Sequence, residues 1–235
     1  TRGSALKFVP VSIKDSFMQE GYDSTCGATV RAFMPCDYDS VLIQMLRKYG
    51  MVPFVRTNIP QLLLLPESEN NMFGRTNNPF DITRTPGGSS GGEAALIGAG
   101  CSPAGLGSDI GGSIRLPAHF TGIVGFKPTP GRLPSHGCTN PKRERQLVIR
   151  ATAGPMARSV RDCVEMMGAL TDPASREIDP TYLPFKNFDK VACSKKGQHG
   201  RLRIGVIVDN GYVTPCATVQ RAVREAAAAL EAQGH

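Results

Sequence analysis

The chain has 235 residues, of which 40% are hydrophobic and 20% charged, an ordinary globular composition with room for one large domain or part of one. Its net charge of +7 does not mark a nucleic-acid binder, because the basic residues are dispersed and the densest cluster, "KRERQ" (142–146), contains an acid and reads as a solvated surface loop. The longest apolar run, around Leu62–Leu65, falls far short of the ~20 residues a bilayer span requires.

Seven cysteines, at 26, 36, 101, 138, 163, 193 and 216, form no C-x-x-C pair, and their number is odd. That fits thiols in a reducing, intracellular compartment better than a disulfide framework. The four histidines make no metal-ligand spacing, so neither a metal nor a metal-dependent reaction is expected.

In chain order, "KFVPVSIKD" (7–15) is rich in β-branched residues and predicts a strand that ends at Lys14-Asp15. "DYDSVLIQMLRKYG" (37–50) predicts a helix with Asp37 as its cap, Val41, Leu42, Met45 and Leu46 on one face, and Gly50 as its stop. A strand is expected near Val52–Val55. "GGEAALIGAG" (91–100) reads as a short helix with Glu93 in its first turn, where the helix dipole favours an acid. "SPAGLGSD" (102–109) reads as a buried strand whose small residues let neighbours approach closely.

"SVRDCVEMMGAL" (159–170) predicts a helix opened by a capping box of Ser159 and Asp162. "RLRIGVIVD" (201–209) predicts a strand. Residues 213–235 predict a helix with Thr214 as cap, Pro215 at its first position and Gly234 at its end. Strands alternating with helices argue an α/β layered domain. The last strand and helix are half of a crossover that wants a return strand, and the chain opens on Thr1. It is therefore expected to be a fragment, truncated at both ends.

Chemistry concentrates in "TPGGSSGGEAALIGAGCSPAGLGSDIGGSIR" (85–115), which sets five serines among ten glycines. The P-loop pattern does not occur here, and "GLGSDIG" misses the dinucleotide spacing by one residue. A flexible linker would leave Ala94–Ile97, Ile110, Ile114 and Leu116 in water. Gly87 to Gly91 fits G-x-S-x-G, which would make Ser89 the nucleophile of an elbow. The preceding "NNPFDITRTP" is a poor elbow strand, and neither His119 nor His136 has an obvious placing as the base.

Ser113 ends "SDIGGS", after the strand expected at 102–109. Successive glycines there can aim several backbone N–H groups into one concavity, so a serine at its end has an oxyanion hole beside it. Ser113 requires a base. Lys14 is a candidate if burial lowers its pKa, although a lysine at a strand end can equally be a solvated charge.

Together these residues resemble the amidase signature family. The resemblance rests on "GGSSGGEAALIGAGCSPAGLGSDIGGSIRLPAHFTGIVGFKPTPGRLP" (87–134), with "VPVSIKDSFMQEGYDSTCG" (9–27) and "RTNIPQ" (56–61) before it and "GPMARSVRDC" (154–163) after it. It extends over essentially the whole chain. It implies an α/β fold with a mixed, twisted β-sheet flanked by helices on both faces. Residues 1–235 would be the N-terminal and central part of a single catalytic domain.

The resemblance also implies a Ser-Ser-Lys triad: Lys14 as base, Ser89 as the bridging serine after a cis peptide bond, and Ser113 as nucleophile. The oxyanion donors would be Ile110, Gly111, Gly112 and Ser113, with Asp109 and Arg115 bracing the loop. Neither metal nor cofactor is implied. Glu93, "GYDST" (21–25) and "KPTPGRL" (127–133) look most like the fatty-acid amide hydrolases of that family. By that likeness Leu63 falls at a substrate-contacting position, although Leu62–Leu65 could equally be plain core. The implied partner is a small-molecule amide, a lipid amide by that likeness. No nucleic acid is implied; membrane association of the full-length protein and a homodimer are within the expectation. Rival readings are a small-amide amidase, the glutaminase-type subunit of a tRNA amidotransferase, and a catalytically incomplete fragment that keeps the fold.

Overall fold

The computed structural model describes residues 6–138, 149–179 and 201–235; the basic cluster at 142–146 and Cys193 lie outside them. The first of two compact units, Thr1–Lys190, carries β1 (Pro10–Lys14), α1 (Val41–Lys48), β2 (Val52–Thr57) and a short hairpin of β3 (Glu69–Asn70) and β4 (Gly74–Arg75). It continues with α2 (Gly91–Gly98), β5 (Ala104–Asp109), α3 (Arg115–Thr121), β6 (Val124–Gly125), β7 (Thr152–Ala157), α4 (Val160–Leu170) and α5 (Ser175–Ile178). The second unit, Val191–His235, carries α6 (Ala217–Ala232).

Five strands form one sheet in the order β2-β1-β5-β7-β6. β1 runs parallel to both β2 and β5, and β7 runs antiparallel to β5 and β6, so the sheet is mixed. Strand periodicity separates its two faces. Val11 and Ile13 of β1 enter one core cluster with Leu42 and Leu46 of α1 and Met166 and Leu170 of α4. Ile97 of α2 and Ile114 and Ala118 beside and within α3 form a second cluster with Met156 of β7. Helices thus cover both faces, as expected.

The second face explains the small residues of β5. A Cβ on Gly105 would collide with the Glu93 carboxylate and come within 2.6 Å of Ser12 Oγ. One on Gly107 would lie 2.7 Å from Met156 Sδ and 3.1 Å from Ser90 Oγ. Glycine therefore lets α2 pack directly on the strand.

Ser159 caps α4 as read, its Oγ accepting the Asp162 N–H at 3.1 Å, while the Asp162 carboxylate accepts from the Ser159 hydroxyl at 2.7 Å, the side-chain variant of the expected box. Three local expectations are corrected. α1 starts at Val41 with Ser40, not Asp37, at the cap position, because the His136 carbonyl accepts the Val41 N–H at 3.2 Å. α6 starts at Ala217, since Cys216 is extended with ψ at 158°; Thr214 and Pro215 precede it. Residues 201–209 form no strand among the described residues; β-branched alternation makes a strand only where a neighbour completes the ladder. None of the six cysteines among the described residues is in a disulfide, and no helix there is long and apolar enough to cross a membrane.

Candidate active site

Lys14 closes β1 on the same face as Ser12 and is fully buried. Its Nζ lies 2.7 Å from Ser89 Oγ, 3.0 Å from Ser108 Oγ and 3.2 Å from the Ser108 carbonyl, donating to all three. None of the ion pairs among the described residues involves Lys14. Burial lowers its pKa to about 7, against an opposing pull from Cys26, Asp109 and Glu93. As a neutral amine it can keep two N–H bonds to Ser108 and turn its lone pair to the Ser89 hydroxyl.

Ser89 follows a cis Gly88–Ser89 peptide immediately before α2. Gly88 has no alternative there, because a Cβ would run into the Glu67 backbone. The elbow reading of Ser89 fails on context. The residues before it form turns and an isolated bridge between Asn78 and Asp81, not a strand. His119 sits on α3 against Phe120, and His136 stacks on Tyr38 with ring centroids 5.6 Å apart. Among the described residues, Ser89 Oγ bonds to Lys14.

Ser113 lies in the turn between β5 and α3, and its carbonyl accepts the Ser90 N–H at 3.1 Å. That bond joins the Ser113 turn to the start of α2. Asp109 braces the turn: Oδ1 accepts from Gly112 N at 2.8 Å and Arg115 Nη2 at 3.0 Å, and Oδ2 from Ile114 N and Arg115 Nε, both at 3.0 Å. Burial alone would raise the Asp109 pKa, but the bonds from Arg115, Ile114 and Gly112 outweigh it and hold the carboxyl at about 2.

The Gly112 N–H is thus committed to Asp109. Among the described residues the N–H groups of Ile110, Gly111 and Ser113 donate to no acceptor, which leaves these three for an oxyanion. Gly112 supplies the bend, with φ at 127°, and a Cβ there would meet Leu116 at 2.9 Å.

Leu63 sits in a 3-10 turn, Gln61–Leu63, where Leu62 and Leu63 both have positive φ. Leu62 N–H bonds to the Cys26 carbonyl at 2.8 Å, so this turn lies over the loop that Thr25 ties back to Asp15, the residue after Lys14. Leu64 and Leu65 are exposed and Leu62 and Leu63 are half-buried.

Sequence reasoning overlooked Ser108, Ser12 and Thr57. Ser12 and Thr57 donate to the two oxygens of Glu93, each at 2.6 Å. The available signal was Ser12 itself, a polar residue two positions from Lys14 within an otherwise apolar buried strand.

A family model described as Amidase matches residues 2–235. The chain belongs to the amidase signature family. It is 43% identical over 231 residues to fatty acid amide hydrolase 1 of Caenorhabditis elegans, covering 97% of this chain and 39% of that protein. It is 36% identical to one subunit of the glutamyl-tRNA(Gln) amidotransferase of Nitratiruptor, covering 97% of this chain and 49% of that one. A solved fatty acid amide hydrolase superposes with a TM-score of 0.88 at 35% identity, over 95% of this chain and 39% of that one. The chain therefore spans less than half the length of these family members.

Proposed function

We propose that the protein hydrolyses carboxylic amides, fatty-acid amides among them, through Ser113, Ser89 and Lys14. The observation that carries this reading is the buried Lys14 amine, 2.7 Å from Ser89 Oγ and with its pKa lowered to about 7. Such a lysine is a proton acceptor at neutral pH.

Ser113 Oγ attacks the amide carbonyl carbon and its proton passes to Ser89, while the Ser89 proton passes to the Lys14 lone pair. The carbonyl oxygen becomes an oxyanion held by the N–H groups of Ile110, Gly111 and Ser113. When the C–N bond breaks, Ser89 gives its proton to the leaving nitrogen and Lys14 returns its own to Ser89. Water then attacks the acyl-enzyme by the same route, releasing the acid and restoring the Ser113 hydroxyl.

A lipid amide is favoured over a small one by the 43% identity to a fatty acid amide hydrolase, against 36% to the amidotransferase subunit. A fluorophosphonate probe on the full-length protein tests the chemistry, and Ser113 is the residue expected to carry the label. Labelling at Ser89 overturns the assignment. Hydrolysis of long-chain amides set against that of glutamine separates the lipid reading from the amidotransferase one.

A further inference from the structure

We propose that Glu93 is a positioning residue of this site, whose carboxylate holds α2 and Ser89 against β1 and biases the proton on Lys14. The proposal rests on the Ser-Ser-Lys reading above. Glu93 is completely buried in the first turn of α2, four residues after Ser89. Ser12 Oγ donates to its Oε2 and Thr57 Oγ1 to its Oε1. Ser12 shares a strand face with Lys14, and Thr57 is the residue of β2 paired with Lys14 in register. One carboxylate therefore ties α2, which follows Ser89, to β1, which carries Lys14, and to β2 paired beside it. The Gly92 N–H bonded to the Asn58 carbonyl at 3.1 Å adds a second tie between α2 and the end of β2.

Stability alone does not account for this acid. A buried carboxylate bonded only to hydroxyls is costly, and none of the ion pairs among the described residues includes Glu93. Burial pushes its pKa up to about 7, against the two hydroxyl bonds and the positive charges of Lys14 and Arg56. Arg56, from β2, is itself paired with Asp15 at 2.7 Å. The acidic groups acting on Lys14 are Cys26, Asp109 at the end of β5, and Glu93 from α2. A charged Glu93 favours the ammonium form of Lys14; a neutral one favours the free amine. The two groups titrate as a pair.

The test is the rate of Ser113 labelling by a fluorophosphonate in the full-length protein, followed from about pH 5 to about pH 9.5, where the acid limb reports deprotonation of Lys14. Glu93→Gln keeps the size and one acceptor oxygen, turns the other acceptor into an NH2 donor that a hydroxyl must accept from, and removes the charge. It is expected to move the acid limb down by about one pH unit, on top of any fall in the alkaline plateau from a loosened α2. Thr57→Val removes one donor to the carboxylate at nearly constant volume and should move the limb the same way by less. A plateau that falls with the limb unmoved means a structural tie only and overturns the proposal. If Glu93→Gln fails to fold, an unmoved limb in Thr57→Val overturns it alone. Labelling away from Ser113, or an acid limb that survives Lys14→Ala, overturns the triad reading first.

Discussion

Lys14 Nζ and Ser89 Oγ meet at 2.7 Å across 75 residues of sequence, one at the end of a central strand and the other at the start of a helix packed on that strand. The lysine is fully buried. Its consequences for charge reach beyond the chemistry.

Lys14 has a native pKa of about 7 against an ordinary 10.5, so between those values the unfolded chain holds more protons than the native state, and stability rises with pH. Glu93, raised from 4.5 to about 7, does the reverse: the native state holds more protons below pH 7, so stability falls as pH rises through that window. Together the two groups give a stability minimum near neutrality. Lys14→Met should abolish the rise above pH 7 and lower kcat/KM by about 10²–10⁴-fold. Denaturant unfolding at stepped pH, on variant and wild type, checks the first; amide hydrolysis checks the second.

Asp109→Asn should weaken the turn that holds Ser113. The carboxylate accepts from Gly112 and Ile114 N–H groups and from Arg115, and an amide cannot serve all of them. Each unsatisfied donor costs about 1–3 kcal/mol. The expected outcome is a lower melting temperature together with a fall in kcat. Because the Asp109 pKa is depressed to about 2, its contribution is present at neutral pH and is lost as pH falls towards 2, so wild type and variant should converge in acid.

Gly105→Ala should be damaging although the change is one methyl group. Its Cβ would enter the space of the Glu93 carboxylate and Ser12 Oγ. Overpacking of this kind costs about 1–3 kcal/mol, and here it pushes α2 away from β1. Loss of fluorophosphonate labelling alongside a reduced melting temperature is the expected pair of results. Normal labelling would show that α2 tolerates the displacement.

Leu63→Ala should change chain-length preference. Removing the side chain is expected to lower kcat/KM for a long-chain amide by about 10–200-fold while sparing a short one. Competition between two amides in one assay reads the ratio directly.

Three strands, β1, β2 and β5, and four helices, α1, α2, α4 and α6, could be read from local pattern; β3, β4, β6, β7, α3 and α5 were not. The β-branched residues of "KFVPVSIKD" marked β1, and the spacing of Val41, Leu42, Met45 and Leu46 marked α1. The Ser159 box marked the start of α4. Boundaries failed where a distant group supplied the partner, as the His136 carbonyl does for the start of α1. Residues 201–209 failed because a strand is completed by its neighbour.

By itself the sequence determined the candidate residues, since the Gly/Ser block and the "SIKD" stretch carry the family resemblance and name Lys14, Ser89 and Ser113. It left open whether Lys14 was buried or solvated, and which residues its amine would meet. Only the tertiary structure decided these. Burial depends on what packs over a side chain, and here α2 and β5 close over Lys14 from far along the chain. The same packing placed Ser12 and Thr57 on Glu93. Hydrogen-bond partners are chosen in space, and spacing along the chain does not specify them.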